Sequence, residues 1–356
     1  AGQPRHFRHS LEVLKRAVQY WKAEGGVSYV AQLGNALAAE NAAAGAQFTA
    51  LASYDEERGR LGSATPTPFH LTLGAHDLRC FDASQLATAL MPCRTSLATL
   101  YYSFAACPGW RVVVLDSYDV SLVAHAPGSA AHMDVLALLK QSNPNAPDAP
   151  DPLAGLEGED RRWGPDGGGV GRMQLDWLKA QLAAAAAASE RVILQSRLGW
   201  LPAACDSEQL LYNFEDVQEL LDGQPGVPSL VLFGGDGKGG YARDLRGVHH
   251  LAPCAVCHCA TNEDAYGIVR IFEHTMRVEM VGRAPDVAKR AGAGWPNELN
   301  LPRGGALVPA APGGGADAFG LLLQVWLFFL HTIMLPMQPV FQLLTSSGGG
   351  DDGGDG

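Results

Sequence analysis

Residues 232–250 read LFGGDGKGGYARDLRGVHH, an apolar run that breaks into glycines and closes on a histidine pair. The segment 229–233, SLVLF, reads as a strand, ended by the glycines that follow. Further strands are expected near 247–258 and 267–272. Upstream, helical periods at 173–189 and 210–221 flank a strand at 191–195. Strands are also predicted at 27–34, 69–73, 101–104 and 111–116, with helices at 7–21, 45–60 and 82–90. Such alternation specifies an α/β sandwich, whose active residues sit on loops at strand ends.

Composition narrows the classes. The 356 residues, 47% hydrophobic and 18% charged, can bury one large core. A formal net charge of −11 without a basic stripe excludes a nucleic-acid partner, which needs clustered Lys and Arg. Seven cysteines at irregular spacing do not make a disulfide framework. The alanine run at 183–188 extends the helix whose apolar face is marked by Met173, Leu175, Trp177, Leu178 and Leu182.

The main domain is expected over 1–290, with a Pro-, Gly- and Asp-rich loop insertion at 143–169 and a Gly/Pro linker at 291–317. Residues 318–344, AFGLLLQVWLFFLHTIMLPMQPVFQLL, carry no charge and read as a hydrophobic helix. It would enter a membrane or dock on a protein, and Pro336 and Pro339 cut it close to the minimum span. An acidic, Gly-rich tail occupies 345–356.

The 232–250 stretch resembles the G-H-x-H-x-G-G-Y-x-x-D-x-x-G-V-H-H signature of the calcineurin-like metallophosphoesterases, specifically the manganese-dependent ADP-ribose/CDP-alcohol diphosphatases. RHFRHSLEVLKRAVQYW at 5–21, VVVLDSYDVS at 112–121, GGGVGRMQLDWLKAQL at 167–182 and AYGIVRIFEHTMRVEMVGR at 265–283 extend the likeness. The resemblance implies a four-layer α-β-β-α sandwich. It also implies two divalent metals that activate a water and clamp a phosphoryl oxygen, held by Asp, Asn and His ligands.

Those ligand positions are altered in this chain. The family's bridging aspartate appears as Asn35, its asparagine ligand as Ala75, and the histidine after strand VILQS as Arg197; Gly235 and Gly237 replace both histidines of G-H-x-H. His76, which in the family aids the leaving group, survives as a vestigial catalytic residue. A guanidinium cannot ligate a cation, yet Arg197 with His76 is suited to bind an anion, or Arg197 forms an internal ion pair with Asp77 or Asp236. No metal and no cofactor is expected.

Other motifs have two readings. Cys254-Ala-Val-Cys257-His258-Cys259 matches haem or zinc spacing, or is a set of buried thiols. The 168–171 glycines either cradle a phosphate or form a turn. His249, His250, Trp177 and Trp200 read as structural. The expected protein is a catalytically inactive structural or assembly subunit on an organellar membrane, joined to membrane proteins through 318–344. The alternatives are a divergent diphosphatase and a metal-free nucleotide- or phosphate-binding module.

Overall fold

A computed structural model describes residues 5–61, 67–91, 99–234, 237–272, 274–285, 298–301 and 323–328. Helix α1 spans Phe7–Glu24 and stops at Gly25, whose φ of 69° suits glycine. Val13, Leu14, Ala17, Val18 and Trp21 recur at three- and four-residue steps and are fully or nearly buried. Burial of each large member contributes about 1.5–3 kcal/mol. Then follow β1 (Val27–Gln32), α2 (Glu40–Ala43), α3 (Gln47–Gly59), β2 (Phe69–Leu71), α4 (Ala75–Cys80) and α5 (Ala83–Leu90).

The chain continues through β3 (Tyr102–Cys107), β4 (Trp110–Val114), α6 (Ala130–Ser142), α7 (Arg172–Ala187), β5 (Arg191–Ser196), α8 (Phe214–Asp222) and β6 (Pro228–Phe233). It ends in β7 (Gly240–Arg243), β8 (His249–Ala252), β9 (Ala265–Ile271), β10 (Thr275–Gly282), β11 (Glu298–Asn300) and β12 (Leu323–Phe328).

Among the described residues two six-stranded sheets form, ordered β11-β10-β9-β12-β1-β2 and β3-β4-β5-β6-β8-β7. Strands β4, β5, β6 and β8 run parallel. Their side chains alternate between two apolar layers. Val112, Val114, Ile193, Leu230 and Leu232 join the core shared with the first sheet and α1. Val113, Val192, Leu194 and Val231 join the layer beneath α7 and α8. Burial on both faces explains the uninterrupted apolar runs RVVVL and SLVLF. The sandwich read from the sequence is present.

The C-terminal hydrophobic helix is corrected where it is described. Leu323–Phe328 is strand β12, inserted between β1, to which it runs parallel, and β9, to which it runs antiparallel. An uncharged apolar run has no period that separates a strand paired on both sides from a hydrophobic helix. The remainder of 318–344 lies outside the described residues. Strand β11 likewise falls inside the 291–317 stretch read as linker, and pairs with β10. The folded sheet therefore extends past residue 290. No helix among the described residues is long and apolar enough to cross a membrane.

Smaller differences have local causes. The helix expected over 210–221 begins only at Phe214, because Leu210 and Leu211 are tied to Gly199 and to a short turn at Ser207–Gln209. In α7 the buried positions are Gln174, Leu178, Leu182 and Ala185, while Met173 is 78% exposed. Gln174 is buried because its amide bridges Asp116 and Asp119. Helix α6, strand β10 and the short α4 were not anticipated.

Candidate functional site

The cleft lies where β1, the loop after β2, and β5 end together. After Gln32 the chain turns through Gly34 and Asn35, with φ of 86° and 55°. A Cβ at Gly34 would sit 2.5 Å from Cδ of Arg197, so the arginine stem lies directly across this turn. Asn35 holds a left-handed backbone rare outside glycine, and local hydrogen bonds support it. Its N–H donates to Asp77 Oδ2 at 2.7 Å, and its Oδ1 accepts from the His76 N–H at 3.1 Å. A Cβ at Gly74 would meet that Oδ1 at 2.0 Å, which leaves glycine as the residue that fits.

Asp77 is the hub of this floor. Its Oδ2 also accepts from Gly74 N at 3.0 Å and its Oδ1 from Leu37 N at 2.9 Å. The side chain is fully buried, which pushes the carboxyl up to about 6 against the pull of these three N–H donors. The carboxylate expected to face Arg197 accepts from three backbone N–H groups, and the Arg197 cation also acts on it, opposing the rise in its pKa. Asp236, the other acid considered for that pairing, lies outside the described residues, as does Gly235.

His76 Nδ1 accepts from Ala39 N at 3.4 Å, so its proton resides on Nε2. Burial first, and then the Arg197 cation, depress its pKa to about 4. The ring is neutral at physiological pH. Arg197 follows β5 directly, is 4% exposed, and has its backbone N–H on Ser117 Oγ at 3.1 Å. Ala75 is the first residue of α4 and contributes a methyl group. Gly237 faces His258, whose Nε2 would lie 2.6 Å from an added Cβ.

Asn35, Ala75, His76, Arg197 and Gly237 therefore line one cavity of about 580 Å³. Sequence reading missed Arg5, Arg79, Arg161, Lys238 and His258 in the same wall. Arg161 arrives from the 143–169 insertion, where a short 3₁₀ turn at Gly158–Arg162 brings it beside Glu208. No local pattern announces such a tertiary placement. A larger cavity, about 880 Å³, lies between α7 and α8 and is lined in part by Gly169, Val170 and Gly171 of the glycine-rich loop, but by none of Asn35, Ala75, His76, Arg197 and Gly237.

The remaining motifs are structural. The amides of the glycine-rich loop are spent internally: Gly169 N on Val120 O, Val170 N on Asn213 Oδ1, Gly171 N on Asp119 Oδ2. Tyr241 bonds His249 at 2.9 Å, and the His249 ring reaches Asn300 O at 2.8 Å, tying β8 to β11. His250 and Asp244 are 3.4 Å apart. Trp200 is fully buried, and Trp177 is partly buried against the layer under α7.

No family model matches the chain. Comparison with individual proteins is decisive. A manganese-dependent ADP-ribose/CDP-alcohol diphosphatase of Arabidopsis thaliana is 31% identical over 285 residues, 79% of this chain and 87% of the relative. This chain belongs to the calcineurin-like metallophosphoesterases, within that diphosphatase family. The Oryza sativa subsp. japonica diphosphatase is 32% identical over 276 residues, 76% of this chain and 82% of its own length. A dimetal phosphatase from Danio rerio superposes with a TM-score of 0.75 at 26% identity, covering 84% of this chain and 90% of that one.

The side chains present do not fit the two metals of this family. At the positions where the sequence motifs lead one to expect ligands stand an asparagine oxygen already bonded to the His76 backbone N–H, a methyl group, a guanidinium and, at Gly237, no side chain. Among the described residues no group of three or more His, Cys, Asp or Glu is placed to hold a metal ion. An arginine at the centre adds positive charge where a dication would need negative charge.

The Cys254–Cys259 run follows β8 and contains the turn at Val256–His258. Cys254, Cys257 and Cys259 are buried, and burial pushes the Cys257 and Cys259 thiols up to about 12. Burial and a raised pKa both disfavour the reactive thiolate at Cys257 and Cys259. Iodoacetamide under native conditions is expected to modify the half-buried Cys107 before Cys80, Cys205, Cys254, Cys257 or Cys259. Peptide mass analysis reads this out; early labelling of Cys257 would overturn the assignment.

Proposed function

We propose that this chain is a non-catalytic member of its family and serves as a structural or assembly subunit. The observation that supports it is Arg197: a buried guanidinium beside His76 and Asn35 stands in the cleft where the family signature places metal ligands. The hydrogen-bonded frame around that cleft is kept, through Asp77, Gly74 and the left-handed Asn35. A frame retained without donors serves folding and contact rather than turnover. Attachment to a membrane complex through 318–344 is the finer form of this proposal. Inclusion of 323–328 in the sheet leaves 329–344 for a membrane, shorter than the about 20 residues of a helical span. Docking on a partner protein is therefore the form the reading takes.

Full-length protein supplied with manganese is expected to cleave neither ADP-ribose nor CDP-choline above a metal-only blank, and to retain less than one equivalent of manganese after desalting. A diphosphatase of this family whose name states its substrates serves as the positive control. Turnover, or two tightly held metal equivalents, would establish a rebuilt catalytic site and remove the non-catalytic reading.

A further inference from the structure

We propose that the 880 Å³ groove between α7 and α8 is a docking site for an amphipathic helix of a partner protein, one whose apolar edge carries basic residues along one flank and acidic residues along the other. This groove is separate from the cleft at the ends of β1 and β5. Its assignment goes beyond the non-catalytic reading and does not depend on it, so turnover in the cleft would leave it standing.

The packing of the two helices creates the groove. Helix α7 buries Leu178, Leu182 and Ala185 in the layer against the second sheet, and α8 buries Phe214, Val217 and Leu221 there. One residue after Gln174 and Leu178 on α7 come Leu175 and Lys179, and one residue before Val217 and Leu221 on α8 come Asp216 and Leu220. Each lies about 100° round its helix from the buried face, and all four line the groove. Val120, Leu138, Trp163, Leu175 and Leu220 remain half-buried along it, so the trough presents apolar surface to water.

The two walls differ in sign. On α7 Arg172 is paired with Asp176 at 3.1 Å, which leaves Lys179, while α8 supplies Asp216 and Glu219. Among the described residues no cation is paired with either of those carboxylates; Asp216 accepts from the neutral Asn213 amide at 3.0 Å. An apolar ridge flanked by rows of opposite charge is what the i, i+3, i+4 and i+7 positions of an amphipathic helix present. The α7 stripe from Arg172 to Leu182 runs about 15 Å, nearly three turns of a docked helix. The chain's own 318–344 does not match this groove, since it has no Asp, Glu, Lys or Arg to meet Lys179 or Glu219, and Pro336 and Pro339 would interrupt a helix.

The test is fluorescence anisotropy of three labelled peptides titrated with the full-length chain. Each has about 18 residues, long enough to be helical in water, and one leucine stripe, flanked by Lys on one side and Glu on the other, by Lys on both, or by Glu on both. The mixed peptide is expected to bind saturably and at least about fivefold more tightly than the other two, because one of its two directions always sets its flanks against walls of opposite charge. Leu220→Lys should weaken it at least about tenfold. Glu219→Lys, an exposed change that leaves the core alone, should remove the preference for the mixed peptide and tighten binding of the Glu-flanked one. No saturable binding at about 1 mM peptide, equal affinities of the three, or indifference to both substitutions would overturn the proposal. A dimer of the free chain that Leu220→Lys dissociates would overturn it in favour of a second copy. Tighter binding of the mixed peptide by a chain ended after Phe328 would overturn it in favour of 329–344.

Discussion

Asp77→Ala is expected to lower stability by at least about 3 kcal/mol, because three buried N–H donors, of Asn35, Leu37 and Gly74, lose their acceptor together. Each orphaned buried donor costs about 1–3 kcal/mol, and the alanine methyl cannot admit a water between them without opening the floor. Asp77→Asn should recover little. Its one acceptor oxygen can replace Oδ2, which serves Asn35 and Gly74, only by turning the amide NH2 toward the Leu37 N–H. Urea denaturation of the three proteins checks this, read at pH 8, where wild-type Asp77, pushed up by burial to about 6, is ionised. A midpoint change equivalent to less than about 1 kcal/mol for the alanine variant would show that the floor is not organised around this carboxylate. The role of Asp77 in Gly74-Ala75-His76-Asp77 rests on backbone N–H donors and requires no metal.

A distinction between local pattern and tertiary placement governs what was legible in the chain. The parallel strands were readable because burial on both faces writes itself as runs such as RVVVL, and α1 because its buried stripe repeats at helical steps. That Asn35, Ala75, His76, Arg197 and Gly237 share one cavity was readable from the motifs, since each motif fixes its neighbours in space as well as in sequence. Arg5, Arg161 and His258 were not, because they reach the cleft from the N-terminus, an insertion and a turn that share only a tertiary address. Met173 misled for a simpler reason: Gln174, polar by type, took the inward position by bridging Asp116 and Asp119. The stretch 323–328 misled because an apolar run carries no period that separates a strand between two others from a helix.

A chain ended before Leu323 is expected to lose most of its folding free energy, which for a domain totals about 5–15 kcal/mol. Strand β12 is hydrogen-bonded on both sides, five of its residues registered against β1 and six against β9. Without it β1 and β9 would stand two strand spacings apart, about 9.5 Å, with every ladder group on both edges unpaired. The gap would open beside Val30, Ala31, Ile268 and Val269, all fully buried, and admit water to the apolar centre of the molecule. Closing it by direct β1–β9 pairing would require the antiparallel β9-β10-β11 unit to move as a body across the second sheet. A chain ended after Phe328 keeps both ladders and should retain the full-length urea midpoint, so the pair of truncations separates strand from tail. Retained stability in the shorter chain would instead mean that 323–328 is dispensable to the fold and open to a membrane or a partner. Loss confined to the shorter chain means that this run is spent on the sheet, and that any partner must be met by other surfaces.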